Sequence, residues 1–182
     1  MTKAPILRRA VGFADVEVTG RTVYGVLVPY GTTAEVSDGG PSYREQFAPG
    51  AFARSARERG DRTPLFHSHD SGRVLGRSIE LRDQPHGLEG SFALSKTRDS
   101  DDALELIKDG ALAAFSVGFR PIRKHTRDGV TVRSEAALRE VSLTAVPAYA
   151  GAGIEGVRSL DLYDHTRRLR RIQLLARGVH IQ

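Results

Sequence analysis

The chain has 182 residues, a formal net charge of +5 and a hydrophobic content of 40%, which predicts one sizeable globular domain and leaves too little length for two. The absence of cysteine excludes disulfides, thiolate metal sites and cysteine nucleophiles. Apolar runs reach only about ten residues and the N-terminus lacks a long apolar core, so we expect neither a membrane span nor a secretion signal, and predict a soluble intracellular protein.

The first half of the chain predicts short strands separated by polar turns, with one short helix. Gly60 ends that helix, and a short apolar run after it ends in two histidines. The predicted elements are strands at Val16–Val18 and Arg21–Pro29, a polar loop at 31–45, a helix at Ala51–Arg59, an apolar run at Thr63–His69, and paired strands at Gly72–Leu81 and Gly87–Leu94.

The second half begins with the clearest helix of the sequence, Ser100–Asp109, with Ser100 as its N-cap and Gly110 as its stop. The elements after it are a strand at Leu112–Ile122, a hairpin at Lys124–Val132 about Asp128-Gly129, a strand at Leu138–Val146, a loop at 147–156 and a basic amphipathic helix at Leu160–Arg177. Many strands with few helices predict an α+β, mainly β fold, a compact antiparallel β-barrel with a few peripheral helices.

The charge of the chain is concentrated at its end, which divides it into a barrel domain, 1–157, and a basic tail, 158–182. The tail holds six arginines and two aspartates, a local net charge of +4. This charge is typical of a contact with nucleic acid, an acidic protein or a scaffold, and an ordinary solvated helix face explains it equally well. Nucleic acid is the least favoured of these partners, because an aromatic content of 7% without tryptophan provides few stacking platforms.

Ser116 interrupts an apolar strand. Phe115, Val117 and Phe119 alternate, so Ser116 and Gly118 project from the face opposite the core. A serine on a strand is ordinarily a packed or solvated side chain, and it becomes a nucleophile only when a base takes its proton. The pattern therefore makes Ser116 a candidate for a surface active site without excluding an ordinary packing role.

Two histidines in LFHSHDSG, residues 65–72, could supply such a base. His67 and His69 are two residues apart, which in a strand places both on one face and turns Asp70 away. A pair of this kind is half a zinc site, but the other histidines lack ligand spacing, so no metal is predicted. Either imidazole suits general-base work on Ser116, and two structural histidines fit the spacing equally well.

A carboxylate in LREVSLTAVPA, residues 138–148, completes the candidate set. Glu140 and Ser142 alternate with the apolar Val141 and Leu143. If this strand lies beside the Ser116 strand, Glu140 shares the side of Ser116 and can hold an imidazole in the required tautomer. The alternative is a solvated strand edge.

Taken together, five segments resemble the prohead proteases of tailed bacteriophages, the head maturation enzymes. Their order and spacing are similar over most of the chain, from about residue 20 to 155. The segments are EQFAPGAF at 45–52, LFHSHDSGRVLG at 65–76, GLEGSFAL at 87–94, LIKDGALAAFSVGF at 106–119 and LREVSLTAVPA at 138–148.

The resemblance implies a serine endopeptidase with a fold like that of the herpesvirus assemblins, a β-barrel ringed by helices. Carried across by motif, Ser116 is the nucleophile, His69 the general base and Glu140 the third member, with Asp70 as its runner-up. The chain has Ser68 where the family commonly has asparagine, and His67 just upstream, which leaves open which imidazole acts.

The implied substrates are the phage major capsid protein with its scaffolding segment, and the protease itself, cleaved inside the immature prohead in the host cytoplasm. No cofactor is implied, and a homodimer follows from analogy with the assemblins. Loops at Arg120–Arg127 and Gly151–Gly156 are candidate donors to the oxyanion. The alternative function is a non-enzymatic capsid-assembly or scaffold-associated protein with the same fold.

Overall fold

The structure, a computed structural model, describes residues 7–12, 20–37, 40–145, 149–150 and 154–158. The strand expected at Val16–Val18 and the helix expected at Leu160–Arg177 lie outside these residues. The basic tail, 158–182, enters them only with Arg158, the last residue of a strand.

The described chain is mainly β, as the sequence predicts, and no helix in it is long and apolar enough to cross a bilayer. Its helices are α1 (Ala53–Arg59) and α2 (Arg98–Lys108). Its strands are β1 (Leu7–Gly12), β2 (Thr22–Pro29), β3 (Thr33–Val36), β4 (Tyr43–Phe47), β5 (Pro64–His67), β6 (Asp70–Gln84), β7 (Gly87–Leu94), β8 (Ala114–Arg127), β9 (Val130–Thr144), β10 (Tyr149–Ala150) and β11 (Ile154–Arg158).

These strands form one sheet in the order β10-β1-β8-β9-β5-β6-β7-β2-β11, with the β3–β4 hairpin attached to β9. Most neighbours are antiparallel, as predicted, but β10 is parallel to β1, and β4 and β5 are parallel to β9. The sheet is therefore mixed, and the predicted antiparallel arrangement holds for most but not all of its strand pairs. Parallel pairing arises because β4 and β5 both lie along one edge of β9, with α1 between them in the chain.

Helix α1 covers the part of the β9 edge that lies between β4 and β5. The Ala136 amide donates to the carbonyl of Ala51 at 2.8 Å, and the Leu138 amide donates to the Ser55 hydroxyl at 2.9 Å. Backbone groups that lack a ladder partner thus find one on the helix and on the chain that leads into it. These two hydrogen bonds support the middle of β9, the strand that carries Glu140.

The core covers one face of the sheet and contains the alternating apolar residues of β8. Phe115, Val117 and Phe119 are fully buried. Phe119 packs edge-on against Phe47 and Phe52, with ring centroids 5.1 and 6.1 Å away. The period-2 pattern therefore orients β8 as the sequence predicts, with Ser116 on the other face.

The prediction of a loop at 31–45 was wrong, because this segment contains β3 and the start of β4. The segment is polar in composition partly because β4 carries a buried charged residue. Glu45 is fully buried and pairs at 2.7 Å with Arg133 of β9, which is 4% exposed. A carboxylate can occupy a strand interior when a guanidinium neutralises it, and sequence pattern does not reveal such a partner in advance.

Other boundaries also differ from the predictions. Strands expected as separate pieces at 112–122, 124–132 and 138–146 are one long hairpin, β8–β9, whose turn at Asp128-Gly129 is confirmed. Helix α2 begins at Arg98, and Ser100 is not its cap, because its hydroxyl donates to the carbonyl of Leu75 inside the protein. β1 was not predicted, and the expected loop at 147–156 contains β10 and the start of β11.

Candidate active site

Ser116 lies in β8 directly opposite Ser142 of β9, on the face turned away from the core. The alternation of β8 predicts this side correctly, but exposure was predicted wrongly, because Ser116 is 1% exposed. The ring of His69 lies within hydrogen-bond distance of its hydroxyl. Ser116 is therefore positioned under a second structural layer rather than on an open surface.

That layer is the turn between β5 and β6, formed by Ser68 and His69. Both residues have positive φ angles, 49° and 62°, which is the type I′ geometry of a two-residue hairpin loop. Each non-glycine residue in this region costs about 1 kcal/mol or more, so the turn requires support from its surroundings. The Ser68 amide donates to the Leu143 carbonyl and the His69 amide to the Ser142 hydroxyl, both at 3.0 Å. The end of β9 thus holds the turn over β8.

His69 joins Ser116 to Glu140. Its Nε2 is 2.5 Å from Ser116 Oγ, and its Nδ1 is 2.7 Å from Glu140 Oε1. The side chains of His69 and Glu140 are 15% and 10% exposed, so both contacts are largely shielded from water. A carboxylate that accepts a hydrogen bond from Nδ1–H keeps the proton of the neutral ring on Nδ1. Nε2 is then free to accept the serine proton, which is the tautomer that general-base catalysis needs.

Glu140 is itself held from two sides. Ser142 Oγ donates to its Oε2 at 2.8 Å, while Oε1 accepts from His69. A register shift beside Glu140, where Arg139 is the extra residue of β9, interrupts the ladder with β8. Bulges of this kind re-aim side chains near functional sites. Ser142 therefore contributes to the site through both the carboxylate and the His69 amide.

Gly118 makes room for that carboxylate. It lies opposite Glu140 on β8, and a Cβ atom at Gly118 would lie 2.1 Å from Glu140 Oε1. The alternation of β8 predicts that Gly118 lies on the same face as Ser116, but no functional role was predicted for Gly118 or for Ser142. A glycine inside a strand, two residues from a candidate nucleophile, is the signal that indicates a close approach there.

Replacing Gly118 by alanine is expected to separate the Glu140 carboxylate from His69 Nδ1 and to lower the free energy of unfolding by about 1–3 kcal/mol, because the added methyl group overpacks the site. Urea denaturation measures the stability, and the low-field NMR signal of the Nδ1 proton reports the contact. Gly40→Ala is the matched control, because nothing lies within 4 Å of that site. An unchanged Nδ1 signal in Gly118→Ala would contradict the close approach.

Asp70 and His67 do not join this group within the described part of the chain. Asp70 is exposed, and its Oδ1 accepts from the Gly72 amide at 2.8 Å. His67 lies in β5 and has no hydrogen bond to Ser116. The prediction that His67 and His69 share a strand face was wrong, because His69 lies in the turn. Burial lowers the pKa of His67, and Arg73 acts in the same direction.

The expected donor loop at Arg120–Arg127 is instead a continuous part of β8. Arg120 lies two positions beyond Gly118 on the side of Ser116, and its Nε and Nη2 atoms are buried without a hydrogen-bond partner. Of the other expected loop, 151–153 lies outside the described residues and Ile154 begins β11.

The arrangement as a whole can perform nucleophilic chemistry. A buried hydroxyl, an imidazole and a carboxylate stand in line at hydrogen-bond distances, which is the geometry that activates a serine for attack on a carbonyl. Ser116 comes from β8 and His69 from a turn beside β9, and both are tied to the same pair of strands. The site is therefore built on rigid elements.

Comparisons with known proteins agree with this chemistry. A family model described as caudovirus prohead serine protease matches residues 14–167. The prohead protease of Escherichia phage T5 is 30% identical over 105 residues, which make up 56% of this chain and 49% of that protein. The chain thus spans about half the length of this curated relative.

A solved structure shares the fold. The capsid assembly protease of bacteriophage T4 superposes with a TM-score of 0.54 at 8% sequence identity, covering 82% of this chain and 98% of the T4 chain. At this identity the likeness concerns the fold alone, and the family assignment depends on the match over 14–167, most of the sequence. The chain belongs to the caudovirus prohead serine protease family.

Proposed function

We propose that the protein is a serine endopeptidase that cleaves the phage major capsid protein and its scaffolding segment, and also itself, during maturation of the prohead. The observation that carries this proposal is the line of Ser116, His69 and Glu140, with contacts of 2.5 and 2.7 Å, in a chain of this family. Ser116 is the nucleophile, His69 the general base and Glu140 the residue that orients His69.

The reaction follows from these positions. His69 Nε2 takes the proton of Ser116 as its oxygen attacks the carbonyl carbon of the scissile peptide bond, which produces a tetrahedral oxyanion. Glu140 stabilises the imidazolium that forms. His69 then gives the proton to the leaving amine, and a water molecule, activated by the same imidazole, hydrolyses the acyl-enzyme.

The oxyanion requires donors aimed at the point where its charge develops, each worth roughly 3 kcal/mol. Ser116, His69 and Glu140 lie in a poorly solvated site. A bound substrate displaces further water from it, and electrostatic interactions are stronger where water is excluded.

The proposal extends to the fold relation, the oligomeric state, the location and the domains of the enzyme. The fold is a barrel related to that of the herpesvirus assemblins, and the enzyme acts as a homodimer inside the immature prohead in the host cytoplasm. Residues 1–157 form the protease domain, and the basic tail, 158–182, docks on the scaffold through its net charge of +4. The match of residues 14–167 to the caudovirus prohead serine protease family supports the prohead as the setting.

Two measurements on the full chain test the proposal. Co-expression with the neighbouring capsid gene, followed by intact-mass spectrometry, is expected to yield shortened capsid protein. A fluorophosphonate that reacts with activated serines is expected to label Ser116 in the wild type and not in His69→Ala, because the hydroxyl needs the imidazole to become nucleophilic. Uncut capsid protein together with an unlabelled Ser116 would favour the non-enzymatic assembly role.

A further inference from the structure

An apolar groove of about 410 Å³ lies across β5, β6 and β7. Its volume falls within the range of about 300–1,000 Å³ that is typical of ligand sites. Val74, which lines it, is 50% exposed, although most other large apolar side chains of the described residues are buried. We call this feature the outer groove, and its principal lining residues are Arg62, Pro64, Val74, Arg77, Ala93 and Leu94.

The outer groove is on the same face of the sheet as the candidate nucleophile. Ser116 pairs with Ser142, Ser142 with Phe66, and Phe66 with Val74, across β8, β9, β5 and β6. Residues paired directly across neighbouring strands project to the same side. Val74 therefore stands three strand spacings from Ser116, roughly 14 Å away. Between them lies Phe66, a half-buried aromatic side chain.

The charge of the lining narrows the class of side chain that fits. The described lining residues include Arg62 and Arg77 and no carboxylate. A lysine or arginine of a bound polypeptide would meet like charge there and lose its hydration. A second cavity, of about 200 Å³ and lined by Glu80, Arg82 and Glu89, lies farther along β6 and β7 and carries both signs of charge.

We infer, on the basis of the proposed function, that the outer groove is a specificity subsite that holds an apolar side chain of the substrate polypeptide. At about 3.3 Å per extended residue, 14 Å corresponds to a position three to five residues from the scissile bond. The substrate chain crosses β9 and β5 on the outer side of the His69 turn, which lies over the buried Ser142, and continues past Phe66. The subsite accepts aliphatic residues and rejects lysine and arginine.

Cleavage-site profiling tests this inference. The purified full-length enzyme digests a proteome-derived peptide library, and mass spectrometry reads the residues around every cut. The wild type is expected to favour leucine, isoleucine or valine over glycine by about tenfold at one position, three to five residues from the cut, since a few methylene groups in an apolar pocket give at least this ratio. Lysine and arginine are expected to be depleted there.

Variants at Val74 connect that preference to the outer groove. With a matched pair of synthetic peptides, leucine or glycine at the preferred position, Val74→Asp is expected to lower kcat/KM for the leucine peptide about tenfold, mainly through KM, and therefore to lower the leucine-to-glycine ratio of kcat/KM. Val74→Thr keeps the side-chain shape and is expected to lower the leucine-to-glycine ratio of kcat/KM less than Val74→Asp does. Ile122→Asp is the control, because Ile122 is similarly exposed, at 53%, on the distal part of β8.

The outcomes separate the subsite from the protease. If the enzyme cuts but the leucine-to-glycine ratio is the same in the wild type and both Val74 variants, the subsite is wrong and the proposed function stands. If the wild type cuts neither the library nor capsid protein, both fall together. Val74→Asp could also lose activity on the glycine peptide. The leucine-to-glycine ratio of kcat/KM in Val74→Thr then tests the subsite, and a ratio equal to that of the wild type overturns it.

Discussion

Replacing Ser116 by alanine is expected to abolish capsid processing, with a loss in kcat of about 10⁴–10⁶, because no other hydroxyl can form the acyl-enzyme at that position. The change removes one hydrogen bond, to His69 Nε2, so the free energy of unfolding is expected to fall by only about 1 kcal/mol. Intact-mass spectrometry of co-expressed capsid protein measures the first effect, and urea denaturation measures the second.

The matched control is Ser78→Ala. Ser78 is another fully buried strand serine, and its hydroxyl accepts from the Thr63 amide at 2.8 Å, away from His69. This variant is expected to lose stability without losing turnover. Processing that persists in Ser116→Ala would remove the assignment of Ser116 as nucleophile.

The unity of the site provides a sharper form of the same prediction. Ser116→Ala and His69→Ala are each expected to cost about as much as the double variant, because residues that act as one unit lose their function together. Independent contributions would instead multiply in the double variant, and that result would show that His69 does not act through Ser116.

Replacing Glu140 by glutamine is expected to reduce kcat by about 10³–10⁴ with little change in KM. The amide has nearly the shape of the carboxylate, but it lacks the charge that stabilises the imidazolium. It also no longer fixes the His69 tautomer in which Nε2 is unprotonated. Steady-state kinetics on one synthetic peptide measure the split between kcat and KM. Partial recovery in Glu140→Asp, which restores the charge on a shorter side chain, is the expected mark of a positioning role.

Asp70→Asn is the matched comparison, because the sequence offered Asp70 as the other acid. Its Oδ1 accepts from the Gly72 amide at the exposed start of β6, so turnover is expected to stay within about twofold of the wild type. A large loss in Asp70→Asn with normal activity in Glu140→Gln would reverse the assignment of the third residue.

Local pattern predicted much of the central hairpin. The alternation around Ser116 is set by side chains that pack on one face, so the orientation of β8 follows from the order of residues alone. The same holds for β9, where Glu140 and Ser142 alternate with buried Val141 and Leu143. The β4 strand could not be predicted in this way, because the burial of the Glu45 carboxylate depends on its ion pair with Arg133, a residue far away in the chain.

The two histidines show where pattern reasoning fails. A strand was assumed through His69, but the chain turns at Ser68 and His69 with positive φ at both. The local preferences of serine and histidine are too weak to select that geometry, and hydrogen bonds from the turn to Leu143 and Ser142 compensate for its strain. The choice between Asp70 and Glu140 depends on this turn.

By itself the sequence determined the mainly β class, the face of Ser116, the pairing side of Glu140 and the family resemblance, because each depends on residues that are close in the chain or on ordered motifs. Only the tertiary structure decided the burial of Ser116, the parallel placement of β5 on β9, the need for Gly118 and the acid that His69 contacts. The physical reason is that these features arise between segments tens of residues apart, where the energies that select one arrangement belong to neither segment alone.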